Sequence, residues 1–172
     1  MSGEDRVFSA LRGPFAGTEH HLDAPYWRTP QPVVERMLDL AGVGPGDTLI
    51  DLGSGDGRIV IAAALRGARA IGVDIDGERI AEAEAAAQAA GVAARVAFRR
   101  EDLFATRLDE ASVISLYLLG HVNLWLAPRL RTEPPPGARI VSYSFPMDGW
   151  APDRVETIDF VTLGLWTVPD RG

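Results

Sequence analysis

From residue 51 the chain reads Asp51-Leu52-Gly53-Ser54-Gly55-Asp56-Gly57, three alternating glycines set among carboxylates, directly after the apolar run Thr48-Leu49-Ile50. Glycine lets the backbone turn tightly and approach a ligand where a side chain would collide. Such a loop between a strand and a helix suits a nucleotide or nucleoside. The dinucleotide fingerprint needs glycine at the sixth position counted from Gly53, and Arg58 stands there. A pyrophosphate would also face Asp51 and Asp56, both repulsive at short range. S-adenosylmethionine carries a sulfonium and an amino group but no phosphate, so carboxylates attract it. The glycine N–H groups are expected to serve its single carboxylate.

Two further acids follow the same logic. Asp74 ends the run Ala70-Ile71-Gly72-Val73, about 20 residues past the loop, where an acid accepts the ribose hydroxyls of a nucleoside. Asp76, just before Gly77, is expected to cap the next helix instead. Asp102 follows the third strand, and two readings stand side by side: a reader of the adenine amino group, or a plain turn acid. His121 reads either as a base or as a solvated residue at a helix start. His20-His21 reads as a solvated loop, and no metal is expected.

The elements that must position these residues alternate along the chain. Thr29-Pro30 is expected to start a helix, with Thr29 as its cap and Val33, Met37, Leu40 and Ala41 on one face. Strands are expected at 48–52, 70–74, 95–99, 111–116 and 138–143, and helices at 58–65, 77–90 and 122–130. The tail, 155–160 and 161–168, reads as a closing antiparallel pair. This is the pattern of a doubly wound α/β fold. It predicts a mostly parallel seven-stranded, Rossmann-like sheet with helices on both faces and the ligand at the carboxyl ends of the strands.

Composition narrows the classes. The 172 residues are 47% hydrophobic and fit one domain with a real core. No run is apolar and long enough to span a bilayer, and no secretory signal is visible, so a cytoplasmic protein without membrane insertion is expected. Cysteine is absent, which excludes disulfides, thiolate metal sites and cysteine nucleophiles. All 17 basic side chains are arginine, so Schiff-base chemistry and a phosphate-gripping lysine are impossible. A net charge of -7 argues against nucleic acid as partner. Arg99-Arg100 and Arg129, Arg131 read as solvated faces. Composition leaves the oligomeric state open.

The loop, the strand end Gly72-Val73-Asp74-Ile75-Asp76 and Glu101-Asp102-Leu103-Phe104 resemble motifs of class I S-adenosylmethionine-dependent methyltransferases. Three other segments resemble a narrower group, the archaeal broad-specificity protein lysine methyltransferases and the mitochondrial ATP-synthase c-subunit lysine methyltransferase. They are Pro25-Tyr26-Trp27-Arg28-Thr29-Pro30, Tyr117-Leu118-Leu119-Gly120-His121-Val122-Asn123, and Pro136-Gly137-Ala138-Arg139-Ile140-Val141-Ser142 with Trp150-Ala151-Pro152-Asp153 beyond. The resemblance covers residues 24 to 168 or so. The group has proline where Arg28 and Gly120 stand, and histidine is expected at Tyr143. The resemblance implies S-adenosylmethionine as cofactor, held by Thr29, Asp51, Gly53, Ser54, Gly55, Asp74, Ile75, Asp102, Leu103 and Tyr117. It implies Tyr117, Asn123 and Tyr26 as catalytic residues and a protein lysine as acceptor.

Methyl transfer from a sulfonium needs a positioned, neutral nucleophile and exclusion of water more than acid–base help. A lysine acceptor must lose its proton, which an apolar channel favours. Tyr26, Trp27, Tyr117 and Tyr143 either line such a channel or are core residues at strand ends. Tyr26 to Pro30 is expected to fold over the methionine end of the cofactor, with Trp27 above the sulfonium and Arg28 outward. Residues 1–24 then form an extension and candidate lid, and 25–172 the methyltransferase domain. No Asn/Asp-Pro-Pro-Tyr tetrapeptide follows the fourth strand, which disfavours methylation of DNA base amines. A small-molecule O- or N-methyltransferase and a non-catalytic cofactor-binding module remain as alternatives.

Overall fold

The computed structural model describes residues 29–118, 120–143, 147 and 149–172, with the backbone alone at 120 and 121. Helix α1 (Gln31–Ala41) comes first. Pro30 is its N-cap, with φ -56, Pro32 falls in the first turn, and no side chain caps it. Thr29 is therefore one residue too early to be the cap expected of it. Prolines preset the first-turn dihedrals without needing the N–H groups that a cap would satisfy. The helix ends at Gly42, whose φ of 65 is the left-handed conformation a helix terminus commonly takes.

Strand and helix then alternate: β1 (Thr48–Leu52), α2 (Arg58–Leu65), β2 (Arg69–Asp74), α3 (Gly77–Ala89), β3 (Val96–Arg100), β4 (Val113–Leu116), α4 (Gly120–Thr132) and β5 (Arg139–Tyr143). Two strands close the chain, β6 (Arg154–Ile158) and β7 (Val161–Thr167). Asp159, at φ 53, and Phe160 make the tight turn between them. Such a two-residue hairpin needs positive φ, and aspartate tolerates it. The other boundaries fall within one or two residues of those read from the sequence, where helix and strand ends fray.

All seven strands form one sheet in the order β3-β2-β1-β4-β5-β7-β6. The first five strands run parallel, and β7 is antiparallel to both β5 and β6. Alternation along β1 divides the core: Leu49 packs with Val34, Leu38 and Val60 on one face, and Ile50 and Leu52 with Leu126, Leu130 and Trp166 on the other. Strand order reverses between β1 and β4, so the site lies beyond the carboxyl ends of the central strands. Among the described residues no helix is long and apolar enough to cross a membrane.

Candidate functional site

The glycine loop leaves β1 and enters α2 with Gly53, Gly55 and Gly57 at φ 81, 54 and 81. These left-handed conformations are open to glycine at little cost. A Cβ on Gly53 would also lie 3.1 Å from the Leu118 side chain. The loop amides turn inward. Gly53 N and Ser54 N both donate to the Val73 carbonyl, at 2.8 and 2.9 Å, and Gly57 N donates to Ser54 O. Gly55 N donates to Asp74 Oδ2 at 2.9 Å. The expectation that glycine N–H groups serve a ligand carboxylate therefore fails for these amides, because β2 takes those of Gly53 and Gly55 and the loop itself takes that of Gly57. The tight turn brings the loop to the acids rather than to an anion.

Asp51, Gly72 and Ser115 are register partners across β1, β2 and β4. Asp51 is 2% exposed and accepts from Ser115 Oγ at 2.8 Å. Burial, reinforced by the nearby Asp74 and Asp56 charges, pushes its carboxyl up to about 7, although the Ser115 bond pulls the other way. A cation beside this carboxylate would relieve that penalty. Ser115 and its bond were not foreseen; the only signal was a hydroxyl inside an otherwise apolar strand. The Ser54 hydroxyl is buried with no hydrogen-bond partner among the described residues. It fills the space over Gly72, where a Cβ would come within 2.7 Å of it.

Asp56 behaves differently from Asp51. Arg58, the residue that breaks the dinucleotide spacing, pairs with it at 2.8 Å. Arg58 also donates from Nη1 to the Thr29 carbonyl at 2.9 Å, so one side chain ties the loop to the chain just ahead of α1. Thr29 itself is buried. Asp56 is thus neutralised within the chain by Arg58. Asp74 accepts from Gly55 N on one oxygen and from Asp76 N on the other. Asp76 caps α3 as expected, accepting from Glu78 N.

Asp102 follows β3 and accepts from Phe104 N at 2.9 Å through Oδ1, capping the short 3-10 turn Leu103–Ala105. It therefore does the work of a turn acid, and Oδ1 alone is committed to that bond. Leu103 is turned into the core with Ile71 and Val73, whereas Ile75 is 44% exposed beside the end of β2. Arg129 is not the solvated residue expected. It is half-buried, pairs with Glu133, and donates to the Phe104 and Thr106 carbonyls.

At the ends of β4 and β5 the two strands meet through side chains. The Tyr117 and Tyr143 rings stand edge to face, centroids 4.2 Å apart. One residue earlier on β5, Ser142 accepts from the Asn123 amide at 3.3 Å, and both are buried. Burial and the neighbouring Tyr143 raise the pKa of Tyr117, which keeps it a neutral phenol. Of the three expected catalytic residues, Tyr117 and Asn123 are thus joined to adjacent residues of β5. Tyr26, with Trp27, Arg28, His20 and His21, lies outside the described residues.

The donor set fits S-adenosylmethionine: carboxylates at the ends of β1, β2 and β3, a close-approach glycine turn, and a buried acid whose ionisation a cation would favour. Known proteins agree. Residues 51–154 match the family model described as ANTKMT methyltransferase domain. A protein-lysine N-methyltransferase from Saccharolobus islandicus is 42% identical, over 78% of this chain and 85% of its own length. The adenine nucleotide translocase lysine N-methyltransferase of Mus musculus is 39% identical over 78% of this chain, which spans only 58% of the mouse protein. A solved structure titled RNA methyltransferase from Salinibacter ruber, in complex with S-adenosyl-L-homocysteine, is 48% identical. It superposes with a TM-score of 0.82 over 84% of this chain and 95% of its own. The chain belongs to the ANTKMT methyltransferase family and is an S-adenosylmethionine-dependent methyltransferase.

Proposed function

We propose that this enzyme methylates the side-chain amine of lysine in a protein. The observation that carries the reading is the edge-to-face Tyr117–Tyr143 pair at the ends of β4 and β5, partly buried, beside the carboxyl ends of the strands that bear Asp51 and Asp74. S-adenosylmethionine, when bound, supplies the electrophilic methyl group. Asp51 and Asp74 bind its cationic and ribose groups, and Asp102 offers an acceptor for the adenine amino group. Tyr117 and Tyr143 present aromatic surface, which favours the neutral form of an arriving amine and keeps water away. Asn123, anchored to Ser142, fixes the start of α4 behind them. The 42% identity to a protein-lysine N-methyltransferase supports the same acceptor.

The Salinibacter title raises RNA as a second acceptor. Charge weighs against it. Arg36, Arg66, Arg79, Arg99, Arg107, Arg129, Arg139 and Arg154 each pair with a carboxylate of the same chain, and the net charge is -7. Phosphates would have to displace those partners and overcome long-range repulsion. We assign Tyr26 to Pro30 as the segment that folds over the methionine end, with residues 1–24 as an extension and candidate lid; the pinned Thr29 carbonyl supports the first assignment. Incubation with donor labelled in the methyl group tests the acceptor. With a lysine-rich protein extract and total RNA offered together, label should be recovered as methyl-lysine after acid hydrolysis. Label confined to nucleosides or small molecules would overturn the reading.

A further inference from the structure

The structure points to Arg129 as a positioning residue for cofactor recognition, acting from α4 on the loop that follows β3. Arg129 leaves the last turn of α4, far along the chain from the glycine loop. Its guanidinium is oriented by Glu133, with Nε to Oε1 at 2.6 Å and Nη2 to Oε2 at 2.7 Å. So held, it donates from Nη1 to the Phe104 carbonyl and from Nη2 to the Thr106 carbonyl, the latter at 2.6 Å. These two carbonyls bracket the end of the 3-10 turn that follows β3.

The contacts continue inward. Thr106 is fully buried, and its hydroxyl donates to the Asp102 carbonyl at 3.1 Å and lies 3.3 Å from Glu101 Oε1. Glu101 N donates to the Asp74 carbonyl at 3.1 Å, tying the start of the same loop to the end of β2. Residues 101–106 are thus fixed at one end to the strand bearing the ribose acid and at the other to Arg129. A planar five-donor fork can hold two carbonyls and a carboxylate at once in a fixed geometry. The partly buried Phe104 ring also meets Trp125 of α4, centroids 6.3 Å apart, a second and apolar contact between loop and helix. We infer that Arg129, braced by Glu133, sets the height of Asp102 against the adenine edge. The inference rests on the reading of Asp102 as the adenine acceptor.

The test uses the full chain and two ligands, S-adenosylhomocysteine and its inosine analogue, in which the adenine amino group is replaced by a carbonyl. Calorimetry on the wild type, Arg129→Met, Glu133→Gln and Asp102→Ala gives each preference. Arg129→Met should lose most of the preference for the adenine ligand, roughly tenfold or the worth of one charge-assisted hydrogen bond. Amide exchange should quicken at Ala105 and Thr106 but not at Gly53 to Gly57. Glu133→Gln should show a smaller loss in the same direction, and it carries the test if the methionine variant does not fold. Folded variants with wild-type preference and exchange would overturn the inference. If Arg129→Met loses the preference while Asp102→Ala keeps it, Asp102 is not the reader and the inference falls with that reading.

Discussion

Ser115 Oγ donates to Asp51 Oδ1 at 2.8 Å directly across the pairing of β1 and β4, and both side chains are buried. One hydroxyl does not offset the desolvation of a carboxylate, so the Asp51 carboxyl titrates near 7 against an ordinary 3.8. A carboxyl whose folded pKa is raised holds its proton in the native state after the unfolded chain has lost it. Its contribution to stability therefore falls as pH rises from about 4 to about 7 and is flat above. Asp51→Asn keeps an acceptor for Ser115 and removes this slope. Melting followed from pH 4.5 to 8.5 should show the variant gaining on the wild type with pH, by on the order of 2–4 kcal/mol at the top. The same variant should bind S-adenosylmethionine more weakly. Parallel curves for the two proteins would contradict the assignment.

Asp74 holds the loop and the following helix start with one oxygen each, and a ribose would share those oxygens. Asp74→Ala should lower affinity for S-adenosylhomocysteine by about a hundredfold or more, two charge-assisted bonds being worth about 1.5–3 kcal/mol each. Calorimetry decides it; an unchanged Kd would mean the ribose lies elsewhere.

Gly57 carries both constraints that exclude a side chain, a φ of 81 and a Cβ position 2.8 Å from the Ala83 Cβ. Gly57→Ala should destabilise the fold by roughly 2–4 kcal/mol, left-handed strain and overpacking adding together. Urea unfolding measures it, with a lowered midpoint and an unchanged slope expected.

The reach of the sequence is visible in these three residues. Gly57 and Asp74 were legible because a glycine run and a strand-end acid are local signals, written within a few residues of the feature they create. Asp51 was legible as an acid but not as a buried one, since its burial depends on Ser115, 64 positions away. The same limit hid Arg129, whose partners Phe104 and Thr106 are brought to it only by the crossover from β3 to β4. The loop amides misled because an N–H does not reveal in sequence which carbonyl takes it. The mostly parallel sheet and the closing pair were legible because alternation of apolar runs with helical segments survives small errors at every boundary.

Tyr143→Phe keeps the edge-to-face packing on Tyr117 and deletes only the hydroxyl. If the pair orients the acceptor amine, transfer to a protein lysine should fall about tenfold with the Kd for S-adenosylhomocysteine unchanged within about twofold. The raised pKa of Tyr117 also predicts that its ionisation imposes no falling limb on the pH–rate profile between 7 and 10. Steady-state rates across that range check both statements.

Removing residues 1–28 leaves every described element in place and deletes the segment assigned to the lid. The truncated protein should melt within a few degrees of the whole chain yet lose most of its affinity for S-adenosylhomocysteine. Arg58→Ala should lower that affinity in the same direction, because the Thr29 carbonyl loses its tie to the glycine loop. Full affinity in the truncated chain would reduce the segment to a passive tail.

The placement of β7 between β5 and β6 has a consequence for how the protein is made. The ribosome releases β6 before β7, its partner among the described residues, so β5 stays an open edge until β7 appears. Trp166, 1% exposed and donating to the Trp150 carbonyl at 2.7 Å, is set in place only then. Completion of the sheet thus waits for β7, and the Trp166 to Trp150 hydrogen bond marks it.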